Sequence, residues 1–372
     1  MKKMLYKLAY LIVLVLIILT GCSEGFSIEP PLSCDISVPT TMYRPVKLGA
    51  SSAPEFIWSP NGQNIAYRNS RGELFILMNV IEERERAQQM YIGTGSGLSW
   101  SPDGSKITYL AQSENAKVVI IVETINGKSL ELTEEDKTLS PPIWSTVNEK
   151  IVFTKRTESH SMEMVSANVG SGYLSDSTIL IESAFGEDFN LYSWSPDGNL
   201  ILLEKVAVGK DINLFTYAVD SNTEKLIAEL TGCEREGVWA PDSEDVAFSS
   251  NHNGNWDIFI ASVHEQNTST NLTNSLDRQD FYPTWSAFKD KIVFVSYHTQ
   301  SDSEFSQDLF IVDPDGKNLM PLTNSPEHET YPLWSPNEPY LGYLVFDGIN
   351  WSIKIAKMES SALIPYLSIS ID

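Results

Sequence analysis

Seven tryptophans recur along this chain: Trp58, Trp100, Trp144, Trp194, Trp239, Trp285 and Trp334. They stand 42, 44, 50, 45, 46 and 49 residues apart. Most lead into a polar turn and then an apolar stretch, as in Trp100-Ser101-Pro102-Asp103-Gly104 and Trp194-Ser195-Pro196-Asp197-Gly198. A unit of this length made of short strands cannot bury its own apolar face, so neighbouring copies must stack. Radial stacking of four-stranded sheets gives a β-propeller. The expectation is an all-β fold of seven four-stranded blades, with six or eight as alternatives if an end unit is incomplete.

The sixth unit shows the pattern in full. Phe281 to Trp285 reads as one strand, Lys291 to Val295 as the next, Asp308 to Val312 as a third and Asn318 to Thr323 as a fourth. Each is rich in β-branched or aromatic residues and bounded by Asp, Gly, Pro or Asn. The tryptophan then has a structural role, as a wide ring filling the wedge between two sheets. Proline, aspartate and glycine turn the chain after it. The last unit supplies Gly342 to Phe346, Ser352 to Ala356 and Leu363 to Ile369. Pro54 to Trp58 is expected to close it, pairing the N-terminal with the C-terminal strand and removing both sheet edges. Tyr43 to Leu48 is a candidate to join that closing sheet.

The first residues carry a different message. Lys2, Lys3 and Lys7 precede the aliphatic run Leu8 to Leu19, which ends at Leu19-Thr20-Gly21-Cys22. A charged start, an apolar core and small residues at a cleavage point read as a secretory signal peptide. The apolar core is shorter than the ~20 residues a spanning helix needs. Residues 1–21 are therefore read as the signal, 22–53 as tether and leader, and 54–372 as the propeller. The position of Cys22 resembles the bacterial lipobox. That resemblance implies a diacylglycerol on Cys22, further acylation such as palmitate, and a lipid bilayer as partner in the cell envelope.

The net charge is −23, and removal of the signal with its three lysines leaves −26. Such a balance excludes nucleic acid and anionic headgroups as partners. It suits a solvated exported surface or a docking face for a basic peptide. Cys34 in the leader and Cys233 ahead of the fifth tryptophan are a candidate disulfide, since an exported protein meets an oxidising compartment. Neither lies in a C-x-x-C pair, so zinc and redox readings have no support.

The pattern W-S-P-D-G-x-x-I-x-[FY], exemplified by Trp100 to Tyr109, is followed in a later unit by Asn251 to Phe259. The closers are Leu132-Thr133, Leu272-Thr273 and Leu322-Thr323. Over residues 54 to about 358 this resembles the WD40-like (PD40) repeat of the TolB propeller. The resemblance implies a propeller that binds an envelope protein. TolB itself carries an α/β domain before six blades, which this sequence does not show between Cys22 and Pro54. The same repeat type forms the propeller half of prolyl oligopeptidase-like peptidases, but no G-x-S-x-G elbow is present here.

A site is expected where the loops entering the tryptophan strands gather at one mouth of the channel. They read Glu134-Glu135-Asp136, Glu187-Asp188, Glu234-Arg235-Glu236, Arg278-Gln279-Asp280 and Glu327-His328-Glu329. Glu234, Asp280 and Glu329 each stand five residues before a tryptophan, so a radial array makes them near-equivalent. Like carboxylates in a ring focus a negative potential that attracts a basic peptide or, weakly, a cation. Ordinary solvated loops are the plainer reading. No cofactor is expected and no D-x-D-x-D-G calcium loop is visible; His328 has no serine or cysteine partner in sequence. The leading expectation is a non-catalytic envelope lipoprotein that binds a protein or peptide. The alternatives are a carbohydrate-active hydrolase or lyase using paired mouth carboxylates, and a purely structural member of an envelope complex.

Overall fold

Strand pairing follows the tryptophan repeat. The computed structural model describes residues 54–371, apart from 113–117, 128, 136–139, 160, 171–173, 185–186, 208–210, 229, 266–267, 300–304 and 360–361. The signal, Cys22, Cys34 and Tyr43 to Leu48 lie outside the described residues. Within them the strands form seven four-stranded antiparallel sheets, each from one contiguous segment. Numbered along the chain, blades 1 to 7 begin with the strands Glu55–Trp58, Ser96–Trp100, Ile143–Trp144, Glu187–Trp194, Glu234–Trp239, Arg278–Trp285 and His328–Trp334. No helix among the described residues is long and apolar enough to cross a membrane.

The turn after each tryptophan is built as its residue types require. Ser101 Oγ donates to Asp103 Oδ1 (2.6 Å) and accepts from the Lys106 amide (2.9 Å). Gly104 sits at φ +69°, a conformation that disfavours any side chain. Ser195, Asp197 and Gly198 repeat the arrangement, with Ser195 Oγ donating to Asp197 Oδ1 (2.5 Å) and Gly198 at φ +76°.

All seven tryptophans are buried, and each packs on the blade before its own. Trp100 meets Ala66, Leu74 and Ile76 of blade 1; Trp194 meets Val152 and Met164 of blade 3; Trp239 meets Leu202 and Leu214 of blade 4. The ring closes by the same rule, because Trp58 of blade 1 packs with Leu344, Ile353 and Ile355 of blade 7. Trp58 Nε1 donates to the Leu333 carbonyl of blade 7 (3.1 Å), as Trp239 Nε1 donates to the Ser193 carbonyl of blade 4 (3.4 Å).

One expectation about closure is corrected. The terminal strands do not pair among the described residues: Glu55–Trp58 bonds Ile65–Arg68 inside blade 1, and Ala362–Ser370 bonds Trp351–Glu359 inside blade 7. Each repeat starts with its own tryptophan strand and ends with its own outer strand, so the last unit lacks nothing. Side chains fasten the seam instead. Phe56 lies over Gly342, where an added Cβ would stand 2.7 Å from the ring, and it meets Tyr331 edge-on at 5.7 Å. Farther out, Tyr366 donates to the Ile81 carbonyl, and Arg84 caps the Tyr366 ring and donates to its carbonyl (2.8 Å).

Candidate functional site

The innermost strands run from one face of the disc, the mouth, to their tryptophan turns on the other. In blades 5, 6 and 7 they carry a bulge three to two residues before the tryptophan. Register shifts fall between Arg235 and Val238, Phe281 and Thr284, and Thr330 and Leu333. Glu236, Tyr282 and Tyr331 take φ of +58°, +54° and +51° there. The bulge adds one residue to this strand but none to its neighbour.

That extra residue decides where the acids point. Trp239 faces Val246 and Glu234 faces Ser250; Trp285 faces Ile292 and Asp280 faces Ser296; Trp334 faces Leu341 and Glu329 faces Val345. Five residues on the inner strand match four on the partner, so each acid falls on the tryptophan's side of the sheet. They are near-equivalent in position. They lie inside the seams with the preceding blade, however, and are 0%, 0% and 3% exposed.

Each acid has one oxygen held and one without a hydrogen-bond partner among the described residues. Glu234 Oε2 accepts from the Leu214 amide of blade 4 (3.0 Å), and Oε1 is unpartnered. Asp280 Oδ1 accepts from Ser296 Oγ (2.6 Å), and Oδ2 is unpartnered. Glu329 Oε1 accepts from Ser325 Oγ (2.5 Å), and Oε2 is unpartnered. Burial pushes Glu234 and Glu329 up to about 7 and Asp280 up to about 6, against the hydrogen bonds that favour the ion.

The other sequence-chosen residues are more open. Asp188 is exposed and takes a two-pronged bond from Arg156 Nη2 (2.9 and 3.0 Å) across the seam from blade 3. Glu187 and His328 are half-buried at the starts of their strands. Glu327 pairs with Lys354. Cys233 is buried and disulfide-bonded, with its partner outside the described residues. No group of three His, Cys, Asp or Glu among the described residues is placed to hold a metal ion.

Sequence reasoning missed a second polar layer, deeper in the seams. Glu55 Oε1 accepts from the Gly97 amide of blade 2 (2.8 Å), and Glu236 Oε2 accepts from the Tyr282 amide of blade 6 (2.7 Å). The Tyr192 hydroxyl accepts from the Glu236 amide (2.8 Å) and donates to Glu204 Oε2 (2.5 Å). In this layer the side chain of one blade captures an amide at the bulge position of the next, where the ladder leaves it free. Burial raises Glu236 to about 7, and Glu204 adds to the rise, while the Tyr282 amide, Ser249 and Arg235 oppose it. The signal was present: Glu55, Gly97, Glu236, Tyr282 and Tyr331 all stand three residues before a tryptophan.

Set beside known proteins, the chain matches no family model, and no curated protein matches it. Solved structures do resemble it. TolB from Acinetobacter baumannii has a TM-score of 0.51 at 15% identity, over 85% of this chain and 78% of that one. The β-propeller domain of the Trilobed protease from Pyrococcus furiosus, described as an open velcro topology, has a TM-score of 0.59 at 14% identity. It covers 84% of this chain and 95% of that one. A prolyl endopeptidase has a TM-score of 0.65 at 9% identity over 86% of this chain, which spans only 49% of that enzyme. The class is thus a seven-bladed β-propeller. More narrowly, its fold is TolB-like, and at these identities the likeness is one of fold alone.

Proposed function

We propose that this chain is an exported, lipid-tethered propeller that docks a protein or peptide on its mouth face, without catalysis of its own. One observation carries the reading. The loop entering blade 6 holds Leu276 out to solvent at 96% exposure, and the Asp347–Asn350 turn of blade 7, on the same face, holds out Ile349 at 82%. An isolated exposed leucine is common, but two nearly bare aliphatic side chains on one face offer anchors that a partner can cover. Exposed Asp188 and Asp277 and half-buried Glu187 and His328 surround that face with polar groups, as a polar rim surrounds an interface core. The negative net charge favours a basic partner.

The opposite face is built differently. Its turns interlock from blade to blade: Thr146 Oγ1 donates to the Ser195 carbonyl (2.8 Å), and Asn337 Nδ2 donates to the Pro60 carbonyl (2.7 Å). In this reading Cys22 carries the lipid, which leaves Cys34 as the partner of Cys233 among the chain's three cysteines. The fold likeness to TolB supports a protein partner in the envelope and does not identify it.

The test is site-specific photocrosslinking in membranes of the native host. A photoreactive residue at Leu276 should capture a discrete partner, whereas one at Phe288, an exposed apolar residue on the turn face, should not. Capture from Phe288 alone, or from neither position, sinks the reading.

A further inference from the structure

The seams that hold Asp280 and Glu329 each set two buried acids of opposite character side by side. Asp257 of blade 5 is the like charge acting on Asp280, and Asp308 of blade 6 is the like charge acting on Glu329. Asp257 is richly hydrogen-bonded. Its Oδ1 accepts from the Ser275 amide (2.9 Å), Ser275 Oγ (3.2 Å) and Thr273 Oγ1 (3.2 Å), and its Oδ2 from Asn271 Nδ2 (2.7 Å). Asp308 accepts from Ser306, from the Ser325 amide (3.2 Å) and from Thr323 Oγ1 (3.4 Å), with His298 Nε2 at 3.5 Å. Their neighbours are served by fewer donors: Ser296 and Thr273 act on Asp280 and Ser325 on Glu329, and each keeps one oxygen without a hydrogen-bond partner among the described residues.

Two adjacent buried carboxyls do not both stay ionised when only one is solvated by donors; the poorer-served partner takes the proton. Asp280 and Glu329, the members with fewer donors, are thus the ones that take the proton. Glu234 reaches the same state by its own burial, to which exposed Asp211 adds a like charge, against the amides of Leu214 and Leu230. The opposing charges are few. Arg278 Nε lies 3.8 Å from Asp280 Oδ1, and Lys354, which acts on Glu329, is itself paired with Glu327. Glu327 adds a further like charge to Glu329, and the Tyr343 phenol faces both.

We propose that the seams between blades 4 and 5, 5 and 6, and 6 and 7 form a proton-operated latch. Glu234, Asp280 and Glu329 hold those seams closed as neutral acids, and losing their protons loosens this side of the mouth. An ionised oxygen without a donor, buried between two sheets, is relieved by admitting water, and water enters most easily where the inner strand begins at the rim. Blades 1 and 2 lack the device: Gly95 stands five residues before Trp100, and blade 1 has no bulge. Blade 4 has Phe189 there, fully buried. The latch therefore belongs to one arc of the ring, and it stands whether or not the mouth docks a partner.

The sign is fixed by proton counting. The folded state binds protons that the unfolded state has released, so stability falls as pH rises from the ordinary carboxyl range through the raised values and is level above them. Chemical unfolding of the full chain across pH 5 to 8 should show the unfolding equilibrium moving toward the unfolded state, by about a hundredfold per acid at most. The triple variant Glu234→Gln, Asp280→Asn, Glu329→Gln should lose most of that slope and exceed the native chain in stability at pH 8. Hydrogen exchange of the native chain, corrected for intrinsic pH dependence, gives a readout that needs no variant. Protection of Glu234–Trp239, Arg278–Trp285 and His328–Trp334 should fall with rising pH while that of Lys150–Arg156 in blade 3, a strand without an acid, stays level. A flat native profile, a slope kept by the triple variant, or equal loss of protection in Lys150–Arg156 overturns the latch.

Discussion

If the side chains that join blade 7 to blade 1 among the described residues close the ring, then Phe56→Ala should open it locally. Phe56 is fully buried, with its ring seated over Gly342 and against Tyr331, in a cluster shared with Leu344, Ile353 and Ile355. Truncating a buried phenylalanine costs about 3–5 kcal/mol, as lost transfer energy plus a cavity. Domains have about 5–15 kcal/mol in total, so the loss is severe. Gly342→Ala probes the contact from the other side, because its Cβ would stand 2.7 Å from Phe56 Cε2 and 3.3 Å from Trp58 Nε1. Overpacking of that kind costs about 1–3 kcal/mol. Combining Gly342→Ala with Phe56→Leu should recover part of the loss, with a coupling of about 0.5–3 kcal/mol. The assay is denaturant unfolding of five proteins, the native chain, Phe56→Ala, Phe56→Leu, Gly342→Ala and the double variant, with hydrogen exchange to locate the damage. Exchange should quicken first in Ile65–Arg68 and Tyr340–Phe346 and leave Asp245–Ser250 protected. A loss below about 1 kcal/mol for Phe56→Ala, or zero coupling, refutes closure by this packing.

Other consequences are simpler to check. Tyr366→Phe removes the hydroxyl that donates to the Ile81 carbonyl and should cost about 0.5–1.5 kcal/mol in equilibrium unfolding. Ser101→Ala leaves the Lys106 amide without its side-chain acceptor in a half-buried turn and should cost about 0.5–1.5 kcal/mol, read by thermal unfolding. Burial alone would raise the Asp103 carboxyl, but hydrogen bonds from Ser101 and Ser105 outweigh it and bring it from 3.8 to about 2. Stability from this turn is thus present above pH 4 and lost as pH falls toward 2, so Asp103→Asn should flatten that limb of an acid titration. Cys22→Ala should move the protein from the membrane fraction to the soluble one, and peptide mapping without reductant should find Cys34 joined to Cys233.

The blade count was legible because each seam needs one wide ring, and seven tryptophans at a near-constant period supply them. The turns were legible too, since serine, aspartate and glycine at fixed offsets each satisfy a local need. Blade 1's outer strand, Gln88–Thr94, escaped notice because no Leu-Thr closer marks it. Strand phase was harder. A sequence shows where strands lie but not which neighbour an outer strand bonds, because that pairing is set by partners far along the chain. Ala362–Ser370 completes blade 7 from within its own repeat, so among the described residues the ends meet through Phe56, Trp58 and Tyr366 and not through a shared ladder.

The acids show the same limit at the scale of one residue. Their common offset from the tryptophan was visible, and strict alternation over five residues would turn them away from the tryptophan's face. The bulge at Glu236, Tyr282 and Tyr331 reverses that parity, and a bulge residue at positive φ has no obligatory sequence mark when it is not glycine. Only Gly97, at the same offset in blade 2 with φ +72°, advertises the conformation directly. One inserted residue per strand therefore separates a solvated acidic rim from a set of buried acids. It is also what brings Glu234 within reach of the Leu214 amide and exposes the next blade's bulge amide to capture by Glu236 or Tyr192. Removing the bulge, by deleting Gly237 for example, should return Glu234 to the opposite face and break both contacts together. A deletion variant that keeps Leu214 and Glu234 in contact, seen in its crystal structure, would show that parity is not what buries the acid.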